Sequence, residues 1–228
     1  MPSHLDQIRD QQHEIWNRFS GGWKKWDGLI LRWPAPFGDA MIRNAGLRED
    51  SRILDVAAGT GEPGLTAAAH AHRGSVMMTD LSERMLAVAT ENARRRGLGN
   101  IDTRICDADT LPFEDARFDA VLCRFGFMFF PDMSTAAREM ARVAKPGARI
   151  VAAVWGAPEK IPGQPRSWTR SPATWTCPSC PLGRQGCSGA RPGAACGACF
   201  PMRVCMISLS TRSRRRWSRI RPKAIGTS

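Results

Sequence analysis

No stretch of this 228-residue chain approaches the ~18 unbroken apolar residues that a membrane-spanning helix requires. The opening residues, MPSHLDQIRDQQHEIW, lack the apolar centre of a secretory signal and carry acids that a transit peptide avoids. These absences predict a soluble, cytoplasmic protein without a membrane span. Acids are also missing from one end of the chain. Residues 160–228 hold thirteen of the 33 Lys and Arg but none of the 21 Asp and Glu. The net charge of +12, which at first suggests a nucleic-acid partner, therefore belongs to the tail alone. Cysteine divides the same way, with Cys106 and Cys123 in the body and the other six in the tail.

Upstream of that break the chain reads as alternating strand and helix. Residues 5–20 suit a helix, with Trp16, Phe19, Trp23 and Trp26 on one face and Gly21-Gly22 as an interruption. That aromatic face suits packing on the domain somewhat better than a lid over a substrate. After Pro34 and Pro36 a short helix is expected over 37–45. Strands follow at 52–57, 75–79, 101–106, 118–123 and 148–155, with helices at 63–72, from Ser82 to Gly97, and at 133–144. This alternation predicts an α/β fold, a parallel sheet with helices on both faces. Ligands of such sheets lie at the carboxyl ends of the strands.

Four strand ends carry the chemistry. The first enters the loop Asp55-Val56-Ala57-Ala58-Gly59-Thr60-Gly61-Glu62-Pro63-Gly64, whose glycines permit a sharp turn and close approach to a ligand. The helix behind it presents N–H groups suited to an anion, so the loop alone also fits a nicotinamide dinucleotide. Asp55 suits a cationic ligand such as an aminoacyl sulfonium and would not help beside a pyrophosphate; its bland alternative is to organise the glycine turn. Asp80 closes the second strand, where a carboxylate can accept ribose hydroxyls or simply cap a helix. Asp107 follows the third strand and can accept from an adenine amine while the Ala108 N–H donates to the ring. An acidic surface turn is the alternative there. Arg124 ends the fourth strand, ahead of Phe125, Phe127, Met128, Phe129 and Phe130. So dense an apolar run reads as core more readily than as pocket, whereas the arginine reads as functional.

ILDVAAGTGEPG, MMTDLSERML, CDADTLPFEDARFDAVLCRFGFMFF and KPGARIVAAVWG, in that order over about residues 12–157, resemble the motifs of class I methyltransferases. The nearest flavour is the ubiquinone/menaquinone-biosynthesis methylases. The resemblance implies a Rossmann-like domain at 46–157 behind an N-terminal helical cap at 1–45, with S-adenosylmethionine as cofactor and a small acceptor, quinone-like or aromatic, as partner. It assigns Asp55, Gly59 and Gly61 to the methionine end, Asp80 to the ribose, Asp107 and Ala108 to the adenine, and Arg124 to the mouth near the methyl group. Ala57 and Leu81 complete the cofactor-binding set. Ala58 departs from the glycine common in relatives of the quinone methylases. His13, His70 and His72 fall away from the strand ends, so no general base is assigned, and no metal site is expected in the body.

The segment 158–228 does not continue this pattern. The closing strands of such a domain are expected to be missing and the tail to be irregular or disordered. Cys177-x2-Cys180 and Cys196-x2-Cys199, fifteen residues apart, have the spacing of a zinc site and, with the terminal arginines, would make a nucleic-acid-binding module. The composition favours instead an out-of-frame reading of a GC-rich gene from near codon 160, so no nucleic-acid partner is expected. An NAD(P)-dependent oxidoreductase using the same glycine loop is the other alternative.

Overall fold

The computed structural model describes residues 4–28, 35–155 and 204–210. Helix α1 spans His4–Lys25 and α2 spans Ala35–Ala45. The alternation then runs β1 (Arg52–Val56), α3 (Gly64–His70), β2 (Ser75–Asp80), α4 (Glu83–Arg95), β3 (Ile101–Ile105) and β4 (Phe118–Arg124). A 3-10 turn at Phe127–Phe129 leads to α5 (Met133–Val143), β5 (Ala144–Trp155) and β6 (Val204–Ser210).

The strands lie in the order β3-β2-β1-β4-β5-β6. All pairings through β5 are parallel, and β6 runs antiparallel to β5. Period-two alternation builds both layers. Ile53, Val76, Met78, Ala120 and Leu122 face one core, shared with α2, α3 and α4. Leu54, Val56, Val121 and Cys123 face the other, closed by Ala136, Met140 and Val143 of α5. The chain winds outward from β1 to β3 and then crosses back to β4, so the order reverses between β1 and β4. Their carboxyl ends diverge there and leave a crevice.

Local capping fixes the helix starts. Ser82 accepts the Met85 N–H at 3.2 Å to open α4, and Asp132 accepts from Ser134 and Thr135 at 2.9 and 3.0 Å to open α5. Asp132→Ala should cost about 1 kcal/mol, read as a lowered midpoint in urea unfolding. An unchanged midpoint would show that the cap contributes nothing.

Four expectations need correction. Gly21-Gly22 does not interrupt α1: a Cβ at either position would meet nothing within 4 Å, and the backbone stays helical. Two glycines cost helix propensity, which docking on the domain offsets. Helix α3 is shorter than 63–72: it runs from Gly64 to His70 and ends at Ala71, whose N–H still bonds Ala67 O while its backbone leaves the helix. Strand β5 begins at Ala144, which pairs with Phe118 before a register shift at the turn. The expected absence of strands from the tail fails at residues 204–210. Val204, Met206, Ile207 and Leu209 concentrate strand-favouring residues there, and pairing covers the open edge of β5. The paired cysteines Cys177/Cys180 and Cys196/Cys199 lie outside the described residues.

Candidate active site

The carboxyl ends of β1, β2, β3 and β4 open into one cavity of about 400 Å³. Its floor is the glycine loop after β1. Ala57 takes a left-handed φ of 55°, an unusual conformation for a residue with a side chain. Ala58 then donates to Thr79 O at 2.9 Å and Gly61 donates to Ala58 O at 2.9 Å. Gly59, at φ 56°, lies against open space: a Cβ there would touch nothing within 4 Å, so its backbone is bare toward the cavity. Gly61 serves packing instead. A Cβ there would come within 2.8 Å of Leu65, so the glycine lets α3 close on the loop.

Asp55 stands behind the loop, fully buried, and accepts the Gly64 N–H at 2.8 Å. Neither Asp55 nor Gly61 lines the cavity. Asp55 Oδ2 organises the glycine turn, while its Oδ1 is buried without a hydrogen-bond partner. Burial pushes the Asp55 carboxyl up to about 8, against the lowering effects of the Gly64 N–H and of Arg124. The expected anion site at the start of α3 is likewise spent internally. Leu65 N donates to Gly61 O at 2.7 Å, Thr66 N to Glu62 Oε2 at 3.3 Å and Ala67 N to Pro63 O at 2.9 Å.

The other predicted residues do meet: Ala57, Gly59, Asp80, Leu81, Asp107, Ala108 and Arg124 all line the cavity. Asp80 is fixed by two backbone donors, Gly59 to Oδ2 and Ser82 to Oδ1, each at 2.9 Å. Burial raises its carboxyl above the ordinary range, and those same donors oppose the rise. Cys106 also lines the cavity, but burial lifts its thiol to about 11, which keeps it a neutral spacer rather than a nucleophile. At the end of β4, Phe125 turns at φ 60° and donates its N–H to Ala153 O at 2.8 Å. Gly126 then passes so close to Ala57 that a Cβ would approach the Ala57 Cβ to 2.4 Å. The aromatic run divides: Phe125, Phe129 and Phe130 line the cavity, while Phe127 packs against the core.

Helix α1 forms the roof, a part sequence reasoning gave second place. Trp16 and Trp23 line the cavity, and Trp16 meets Phe129 edge-on at 5.3 Å, whereas Phe19 and Trp26 point outward. The helix is tied down at both ends by polar contacts. Arg9 pairs with Asp107 and with Asp109, the latter at 2.9 Å, and Lys24 pairs with Glu91 at 2.7 Å. Burial opposes the charge on Arg9, but its two acids outweigh it and hold the guanidinium firmly protonated. Arg9, Gln12 and Glu62 went unrecognised in the sequence. Arg9 stands 98 residues from Asp107, and no local spacing signals such a pair. Arg9→Ala should cost about 1 kcal/mol or less in overall stability, because the pair is partly exposed. It should nevertheless speed cleavage of α1 in limited proteolysis; an unchanged cleavage rate would remove the latch from the account.

Residues 53–147 match the family described as methyltransferase domain. The chain is 38% identical over 135 residues to a demethylmenaquinone methyltransferase of Thermus thermophilus, covering 58% of each protein. A solved S-adenosylmethionine-dependent methyltransferase from Aquifex aeolicus is 26% identical, with a TM-score of 0.53, over 59% of this chain and 72% of that one. Residues 53–147 are thus similar to methyltransferase domains in sequence and in fold. The chain also resembles the [4+2]-cyclase SpnF, at 30% identity and a TM-score of 0.51 over 56% of this chain and 47% of that one. The chain spans about half the length of the curated relatives it matches, from 43% to 62%. Among the described residues no helix is long and apolar enough to cross a membrane.

Proposed function

We propose that the cavity binds S-adenosylmethionine and that the chain transfers its methyl group to a small acceptor with an apolar, planar body, quinone-like or aromatic. The observation that carries this reading is the disposition of acids and donors at the strand ends. A dinucleotide needs free N–H groups at the first turn of α3 for its pyrophosphate. Those groups are consumed by Asp55, Gly61, Glu62 and Pro63. What faces the cavity instead is Asp80 and Asp107, two carboxylates suited to hydroxyl and amine donors. The bare backbone of Gly59 fits the close passage of a ligand across β1.

Asp80 would hold the ribose hydroxyls, Asp107 and Ala108 the adenine edge, and the loop from Ala57 to Gly59 the aminoacyl end. The cofactor supplies an electrophilic methyl group on a sulfonium. The chain's own part is to orient and to exclude water. Holding two reactants in line can lower a barrier by roughly 7–11 kcal/mol. Trp16, Trp23, Phe129 and Phe130 form the apolar wall against which a flat acceptor would lie, and α1 keeps solvent from that wall. The likeness to demethylmenaquinone methyltransferase supports a cyclic acceptor of this kind.

The experiment is incubation of the full chain with S-adenosylmethionine and a panel of small phenols and quinols, following S-adenosylhomocysteine by mass spectrometry. The reading predicts release that depends on the acceptor. Tight cofactor binding with no release from any acceptor would instead favour a non-methylating use of the same fold, as the likeness to a cyclase allows.

A further inference from the structure

The geometry points to Arg124 as the residue that recognises an anionic oxygen on the methyl acceptor, so that the site takes phenol- or enol-type acceptors in their ionised form. This rests on the proposed methyl transfer and names the acceptor class for it. Arg124 lines the cavity at the end of β4, beside the aromatic wall. Its Nε and Nη1 atoms are sealed from solvent and have no hydrogen-bond partner. A buried guanidinium with empty donors is costly and is normally matched by an anion. Arg9, the other arginine of the cavity, is already engaged by Asp6, Asp107 and Asp109.

The acids that act on Arg124 are Asp55 and Glu62. Neither forms an ion pair with it among the described residues: Asp55 accepts from Gly64 through Oδ2 and leaves Oδ1 buried and unpartnered, and Glu62 is held by Arg96 at 2.6 Å and Thr66 at 2.8 Å. Arg124 thus lines the cavity with its Nε and Nη1 unpaired and with no ion pair among the described residues. The side chain is also rigidly placed. Phe125 and Gly126 after it are locked by the Ala153 carbonyl and by the close pass against Ala57.

The same cavity offers no evident proton acceptor. No histidine lines it among the described residues, Asp80 is held by two backbone donors, Asp107 is paired with Arg9, and Glu62 with Arg96. A cation beside the acceptor's oxygen removes the need for a base, because it favours loss of the acceptor's proton to water. In the transfer itself the acceptor anion donates an electron pair to the methyl carbon as the carbon–sulfur bond breaks. The bonding pair stays on sulfur. A cation and an anion become two neutral products, a change that a dry, apolar cavity favours.

The test uses 4-nitrophenol, whose ionised form absorbs in the visible, bound to the full chain saturated with S-adenosylhomocysteine. In the wild type the pKa of the bound phenol should fall by about one unit, about a tenfold rise in its ionised-to-neutral ratio at fixed pH. Arg124→Met should abolish that shift while keeping S-adenosylhomocysteine affinity within about threefold by calorimetry. Arg124→Lys should retain a smaller shift, since an ammonium keeps the charge but not the planar fork. If Arg124→Met does not fold, the lysine variant decides by the size of its shift at unchanged cofactor affinity. The proposal is overturned if 4-nitrophenol fails to bind, if its pKa is unmoved, or if the full shift survives either substitution. It is equally overturned if either variant weakens S-adenosylhomocysteine at least tenfold, which would give the arginine to the cofactor's own carboxylate. A wild type that does not bind S-adenosylhomocysteine at all would fail at the earlier step, the cofactor itself.

Discussion

Replacing Asp80 with alanine should weaken S-adenosylhomocysteine binding at least about 100-fold while leaving a folded, less stable protein. Two effects combine. The carboxylate accepts the Gly59 and Ser82 N–H groups at 2.9 Å each, and hydrogen bonds to a charged group are worth about 1.5–3 kcal/mol apiece. Removing it frees the loop after β1 and the start of α4 together, so the surface proposed for a ribose would lose its shape as well as its acceptor. The thermal midpoint should drop by several degrees, at roughly 2–4 °C per kcal/mol for a chain of this size. Asp80→Asn keeps one carbonyl acceptor and should fall between the two proteins. Calorimetry and thermal unfolding on the three proteins check this. Affinity within threefold of wild type in Asp80→Ala would take the ribose away from Asp80.

The second large effect concerns Asp55 and pH. Burial raises this carboxyl from 3.8 to about 8, so the folded chain binds its proton more tightly than the unfolded chain does. Stability from this group is therefore complete below about pH 4 and is lost as pH rises toward 8. Asp80 is shifted in the same direction and adds to the slope. Asp55→Asn keeps an acceptor for Gly64 and removes the titration. Its stability relative to the wild type should rise between pH 5 and pH 8 by an amount on the order of 1–3 kcal/mol. Asp55→Ala strands the Gly64 N–H and opens a void, which should cost about 1–3 kcal/mol at either pH. Urea unfolding at pH 5 and 8 separates these outcomes. A wild-type slope retained in Asp55→Asn would show that Asp55 stays ionised when folded.

These two residues also mark how far the sequence could be read. Asp80 was legible because a strand pattern, SVMMTD, stops on an acid just before a capping serine, and the fold places it as that pattern implies. Asp55 was legible as a carboxylate before a glycine loop, but its direction was not. Only the closure of α3 shows that the Gly64 N–H claims it and that the first turn has no donors left for an anion. The parallel order of β1 to β5 followed from alternation: β1, β2 and β4 are largely buried and show as short apolar runs. The edge strand β3, IDTRI, is mostly exposed and was legible only from its place in the strand–helix rhythm. The roof did not follow. Trp16 and Trp23 are one heptad apart and fall on one face, yet that spacing cannot tell packing on a domain from cover over a cavity. Arg9 and β6 were missed for related reasons. One depends on acids a hundred residues away, and the other on a strand-rich heptapeptide inside a segment of contrary composition.

The most direct measurement is calorimetric titration of the full chain with S-adenosylhomocysteine, with NAD as the comparison ligand. The account predicts saturable binding of S-adenosylhomocysteine, none of NAD, and loss of the signal in Asp80→Ala. A preference for NAD, or binding of S-adenosylhomocysteine that ignores Asp80, would contradict it.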